Sequence, residues 1–147
     1  MEETIHYLLM ADHLMFQKAL LAGIRDIGLT AGQPKVLDYL KNHDGAVQRQ
    51  IATACHIEPA TLTSLLLGME NKELIERKTL NGNRRSLYVY LTDKGKELAK
   101  RVESEFGRIE ENALCGFTDE EKETLAVLLT RMHDNLNMKG AVSYDKS

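Results

Sequence analysis

The sequence predicts a mainly α fold carrying one small β-hairpin. Apolar residues recur at steps of three and four along most of the 147-residue chain, the period of amphipathic helices. That period gives way at residues 74–91, where two short runs of strand-forming residues flank Asn81-Gly82-Asn83, a strong hairpin turn signal. The length suits one domain with a substantial core.

The first helix is expected over residues 4–25, with Ile5, Leu8, Leu9, Phe16, Ala19, Leu20 and Ile24 on its apolar stripe and Gly28 as its stop. A second begins at Thr30, where Thr30 and Gln33 fit a capping box and Pro34 falls in the first turn. Val36, Leu37 and Leu40 form its apolar face, and His43-Asp44-Gly45 ends it. Gln48 to Cys55 reads as a short helix with Ile51, Ala52 and Cys55 inward, broken at His56-Ile57. The next runs from Glu58 to Asn71, with Pro59 in its first turn and Leu62, Leu65, Leu66 and Met69 inward. The period assigns Leu67 to neither face. Leu74–Thr79 and Ser86–Leu91 are the hairpin strands. Thr92 caps a long helix to about Ala113, striped by Leu98, Val102, Phe106 and Ile109. Thr118 and Glu121 form a capping box for a last helix bearing Leu125, Leu128, Leu129, Met132 and Leu136. Residues 140–147 are expected as a loose tail. The chain has no internal repeat and no low-complexity segment.

Composition excludes several classes of function. With 43% hydrophobic and 28% charged residues the chain reads as soluble and globular. Its longest apolar run is too short to span a bilayer, and Glu2 and Glu3 stand where a signal peptide carries cations, so a cytoplasmic protein without a membrane role is expected. Two cysteines, Cys55 and Cys115, cannot build a disulfide scaffold, and no Cys-x-x-Cys or His-x-x-x-His pair offers a metal site, so neither metal nor cofactor is expected. No nucleophile has a local partner and no phosphate loop is present, so an enzyme is not expected.

Helix, short helix, turn, helix, hairpin, helix is the order of a winged helix-turn-helix. A helix that enters the major groove needs a small, polar outer face to approach base edges. Between its inward leucines, the 58–71 helix shows Pro59, Ala60, Thr61, Thr63, Ser64 and Gly68, with no charge between Glu58 and Glu70. An ordinary surface helix is usually studded with Lys and Glu. Arg77, Lys78, Arg84 and Arg85 lie in or beside the hairpin, and no acid falls between Glu76 and Asp93. Guanidinium groups near a hairpin tip suit the minor groove and its phosphates. The net charge of −3 hides this polarity: residues 1–45, 46–92 and 93–147 carry −2, +2 and −3.

Leu29-Thr30 with Gln33 and Val36-Leu37, Ile51-Ala52, Thr61-Leu62-Thr63, Met69-Glu70, Leu74-Ile75-Glu76-Arg77, Asn83-Arg84-Arg85 and Leu91-Thr92-Asp93-Lys94-Gly95 stand in the order seen in one group of proteins. In this the chain resembles the MarR family of bacterial transcription regulators, over about residues 29–96. The resemblance implies a homodimer in which the N-terminal helix and the last two helices of both subunits interleave. It implies that Thr61, Thr63 and Ser64 read bases, with Pro59 and Ala60 at the helix start. It also implies that Arg85 enters the minor groove while Arg84 contacts phosphate or holds the wing. Three positions depart from the pattern. Asn83 replaces the wing acid, and Val47 replaces the usual Ser or Thr cap. Glu73 replaces a glycine, so the helix before it is expected to close without a left-handed residue or with Asn71 in that role.

The same resemblance implies a small aromatic or phenolic inducer bound between the dimer helices and the DNA-binding lobe, with Tyr7, Met10, Met15, Phe16 and Tyr39 as candidate walls, although core and dimer packing explains each of them as well. Cys115, in the break before the last helix, is the best candidate for an oxidant-sensing thiol; no cation stands beside it in sequence to activate it. Cys55 reads as core.

The expected organisation is an N-terminal dimerisation helix (1–28), a winged helix-turn-helix DNA-binding lobe (29–92), C-terminal dimerisation helices (93–139) and the tail. The expected function is a repressor that binds a palindromic operator on double-stranded DNA as a homodimer and is released by its inducer. The alternatives are a winged-helix protein-interaction module without DNA binding, and a cysteine-based redox-responsive regulator.

Overall fold

The structure, a computed structural model, describes residues 2–80, 82 and 86–144, with backbone alone for 139–144. The elements run α1 (Ile5–Gly23), a 3-10 turn (Arg25–Ile27), α2 (Gln33–Leu40), β1 (Ala46–Val47), α3 (Gln48–Cys55), α4 (Pro59–Asn71), β2 (Ile75–Lys78), β3 (Tyr88–Leu91), α5 (Asp93–Ala113) and α6 (Asp119–Tyr144). The fold is mainly α with one small antiparallel sheet, as the periodicity predicts. The chain divides into two compact units, Met1–Ile109 and Glu110–Ser147.

In the first unit, α2, α3 and α4 enclose a core with both hairpin strands and the start of α5. Val36, Leu37, Leu40, Ile51, Leu62, Leu66, Met69, Leu74, Ile75, Val89 and Val102 are all almost completely buried there. The inward residues read from the helical period account for most of this set, and each large one contributes about 1.5–3 kcal/mol by leaving water. A smaller cluster joins Leu20, Ile24 and Ile109, with Phe16 and Phe106 packed against it at a ring-centroid distance of 6.0 Å.

The sheet has the order β1-β3-β2. The hairpin pairs Ile75 with Leu91 and Lys78 with Tyr88, and β1 adds Ala46 opposite Val89 on the other edge of β3. β1 is absent from the sequence reading because two residues cannot display an alternation. Asp44 secures this corner, its Oδ1 accepting from the Leu91 amide at 2.7 Å.

Capping explains most helix starts. Thr4 Oγ1 accepts from Tyr7 N, Thr92 Oγ1 from Gly95 N at 3.0 Å, and Thr118 and Glu121 form both halves of their capping box. The Thr30–Gln33 box forms by half: Gln33 Oε1 accepts from Thr30 N at 3.1 Å, and the helix starts at Gln33 behind Gly32. At α3, Gln50 likewise accepts from Val47 N at 3.1 Å, while valine has no side-chain acceptor to return the bond.

In the second unit, α6 has no buried side chain among its described residues, and Leu125, Val127, Leu128, Leu129, Leu136 and Met138 are exposed. It continues to Tyr144, so residues 140–144 of the expected loose tail are helical, while 145–147 lie outside the described residues. No proline interrupts it, and one interior glycine costs a helix only about 1 kcal/mol. On α1, Ile5, Tyr7, Leu8, Leu9, Met10, Leu14 and Met15 are also exposed, so its N-terminal apolar residues are not core.

Candidate nucleic-acid interface

α4 lies with one face sealed and one face open. Leu62, Leu66 and Met69 fill the core, and Leu65 packs half-buried toward Gly32. Pro59, Ala60, Thr61, Thr63 and Ser64 are exposed, as the period predicts. Two neighbouring positions are decided here, one that the period leaves unassigned and one that it places outward. Leu67 is on the open face at 50% exposure, whereas Gly68 turns toward Gln33, whose Nε2 would lie 3.0 Å from an added Cβ. Thr63 Oγ1 donates to Pro59 O at 3.0 Å and Ser64 Oγ to Ala60 O at 3.4 Å. In this geometry both hydroxyls donate to their own helix and retain acceptor capacity on exposed residues.

Both ends of the turn-helix segment use left-handed residues that are not glycine. His56 (φ 54°) closes α3, with Ile57 N bonded to Ala52 O at 3.0 Å. Glu73 (φ 61°) closes α4 in a Schellman arrangement, with Leu74 N on Met69 O and Glu73 N on Glu70 O, both at 2.9 Å. The left-handed residue is therefore Glu73 itself; Asn71 stays within the helix. Buried Leu74 anchors the closure and holds glutamate in a conformation that disfavours it by about 1–2 kcal/mol.

A buried polar joint fixes α4 from behind. Gln33, 2% exposed, donates from Nε2 to Leu65 O at 3.4 Å, and its Oε1 accepts from Lys72 Nζ at 2.9 Å as well as from Thr30 N. Lys72 Nζ also donates to Gly28 O at 2.8 Å. Sequence reasoning gave Gln33 only a capping role, because its partner Lys72 is remote in sequence and lysine carries no local signal.

The wing cations divide. Arg77 is 17% exposed at its side chain and held by Glu70, with Nε on Oε2 at 3.0 Å and Nη2 on Oε1 at 3.2 Å; its Nη1 reaches Gln48 Oε1 at 3.4 Å. The guanidinium keeps the Glu70 carboxyl below its ordinary value, outweighing the opposing effect of burial. Lys78 is exposed, 3.4 Å from Glu76 and 5.3 Å from the Tyr90 ring centroid. Arg84, Arg85 and Asn83 lie outside the described residues, and Gly82 is at φ +71°.

The five candidate inducer-pocket residues have different surroundings. Tyr7, Met10 and Met15 are exposed on α1, Phe16 packs against Phe106, and Tyr39 stacks on His43 at 4.2 Å. Cys115 is exposed, and Cys55 is buried, with its thiol pushed up by desolvation. Among the described residues no group of His, Cys, Asp or Glu could hold a metal ion, and no helix is long and apolar enough to cross a membrane.

Comparison with known proteins agrees with this geometry. Residues 29–87 match the model of the MarR family. The chain is 30% identical over 112 residues to the HTH-type transcriptional regulator YybA of Bacillus subtilis, covering 76% of this chain and 75% of that one. It is 39% identical over 87 residues to the HTH-type transcriptional regulator PecS of Dickeya dadantii, covering 59% of this chain and about half, 52%, of that one. The crystal structure of a MepR–DNA complex from S. aureus superposes with a TM-score of 0.80 at 32% identity, covering 92% of this chain and 99% of that one. These relatives are regulators rather than enzymes. The chain, with its winged helix-turn-helix lobe, belongs to the MarR family of transcriptional regulators.

Proposed function

We propose that the protein is a homodimeric repressor that binds a palindromic operator, placing α4 in the major groove and the β2–β3 hairpin at the minor groove. One observation carries the reading: α4 presents an uncharged open face of small residues, Pro59 to Ser64, while its opposite face is locked into the core. In this reading Thr61, Thr63 and Ser64 contact bases, Pro59 and Ala60 stand at the helix start against the DNA, and Lys78, Arg84 and Arg85 serve the wing. Arg77 acts as a positioning residue through Glu70 and does not touch DNA.

The exposed apolar residues of α1 and α6 support dimerisation, since such helices need a second surface to bury them. Dimerisation sets the half-sites roughly 10 bp apart between centres, so that two recognition helices meet successive major grooves on one face. Release follows when a small aromatic or phenolic inducer, held near Phe16 and the exposed face of α1, favours a different spacing of the two lobes.

The test is selection of duplexes from a random pool, followed by binding titrations across salt concentrations. A palindromic consensus and an affinity that falls steeply with salt are expected. Failure to enrich any duplex, with binding indifferent to salt, overturns the reading.

A further inference from the structure

We propose that α4 selects its site through the methyl groups of thymines, with Leu67 as a specificity-determining residue. The proposal rests on the DNA-binding reading above and adds what that face recognises. Ala60, Thr63, Ser64 and Leu67 follow the spacing of one helical stripe, and all four are exposed. The stripe is roughly 10 Å long, about three base-pair steps.

Its chemistry is restricted. From Pro59 to Leu67 no side chain carries an N–H, so none can make the bidentate donor contact that reads guanine O6 and N7. The Thr63 and Ser64 hydroxyl protons are taken by the Pro59 and Ala60 carbonyls. The stripe therefore offers hydrogen-bond acceptors and aliphatic carbon. In the major groove, acceptors suit the amino groups of adenine and cytosine, and aliphatic carbon suits the thymine C5-methyl. Adenine and thymine together satisfy both. Leu67 is the largest aliphatic side chain on the stripe. It is half exposed on a helix whose Leu62 and Leu66 are almost completely buried, so its outer half is open to an apolar partner from outside the protomer. A thymine methyl supplies that partner.

The experiment uses the full chain and the duplex it selects from a random pool, with deoxyuridine replacing thymidine one position at a time. This removes single methyl groups and leaves base pairing intact. Each contacted methyl should weaken binding about fourfold, the effect of burying one methyl-sized group. The series is repeated with Leu67→Ala, whose exposed site leaves folding intact, as thermal melting verifies. At one position in each half-site the deoxyuridine penalty should then vanish. Selective binding that is indifferent to every deoxyuridine substitution overturns this proposal and leaves the DNA-binding reading standing. Penalties of equal size in the wild type and Leu67→Ala overturn the role of Leu67. Failure to select any duplex overturns the proposal together with the reading beneath it.

Discussion

Arg77 on β2 grips Glu70 on α4 through two nitrogens, at 3.0 and 3.2 Å, so the wing strand and the recognition helix are joined by one bidentate pair. Such a pair fixes orientation as well as distance. Replacement of Arg77 by Met should lower stability by about 0.5–1 kcal/mol, the range for a pair that solvent partly screens. It should reduce preference for the selected duplex over random DNA while leaving the salt dependence unchanged, because no phosphate contact is lost. Competition binding at two salt concentrations checks this.

The same pair has a pH signature. Glu70 is depressed in the folded protein, so its stabilising contribution is complete above the ordinary glutamate value of 4.5 and is lost as pH falls through the lower folded value. The stability gap between wild type and Arg77→Met should therefore be constant above about pH 5.5 and close progressively below 4.5. Urea titrations across that range read it directly. A gap that persists unchanged in acid would show that Arg77 contributes through packing.

Glu73→Gly should stabilise the protein by about 0.5–1 kcal/mol. The gain comes from relief of the left-handed strain at φ 61°, reduced by the greater freedom of glycine in the unfolded chain. Thermal unfolding provides the measurement.

Gly95→Ala should cost about 1–3 kcal/mol. A Cβ at Gly95 would collide with the Leu74 carbonyl and lie 3.2 Å from Leu91 Cδ2. That same carbonyl accepts from Thr92 N at 3.0 Å, so it cannot withdraw without breaking the junction between hairpin and α5. A lower denaturation midpoint with retained helix content is expected.

Gln33→Leu should cost about 1–3 kcal/mol, because it strips a buried partner from Thr30 N, Leu65 O and Lys72 Nζ together. Lys72→Met should cost less, since Gln33 keeps two of those bonds. The order of the two urea midpoints is the diagnostic.

The sequence resolved what local pattern controls and left hidden what distant contact controls. The limits of α3 and α4 follow from Pro59, the His56-Ile57 break and the apolar period, all of them local. The short strand β1, the Gln33–Lys72 joint and the Arg77–Glu70 pair depend on residues far apart in sequence, and none has a periodic signature. Gly68 turns inward against expectation because a glycine without a side chain is accepted on either face, while the slot beside Gln33 is too tight for an added Cβ unless Gln33 gives way. Glu73 was obscured for a different reason: propensity argues against glutamate at positive φ, and buried Leu74 overrules it. Exposure of Ile5, Leu8 and Leu9 follows from a period that identifies an apolar stripe without specifying which chain covers it.

The described part of α6 buries no side chain. A helix in that condition has little to hold it in water beyond its own backbone bonds. Under the dimeric reading, the persistence of this segment becomes a question of dosage. Mass action protects it when copies are plentiful, and dilution opens it to proteases. Surplus regulator would then endure while scarce regulator is cleared, so the half-life of the protein would rise with its own abundance.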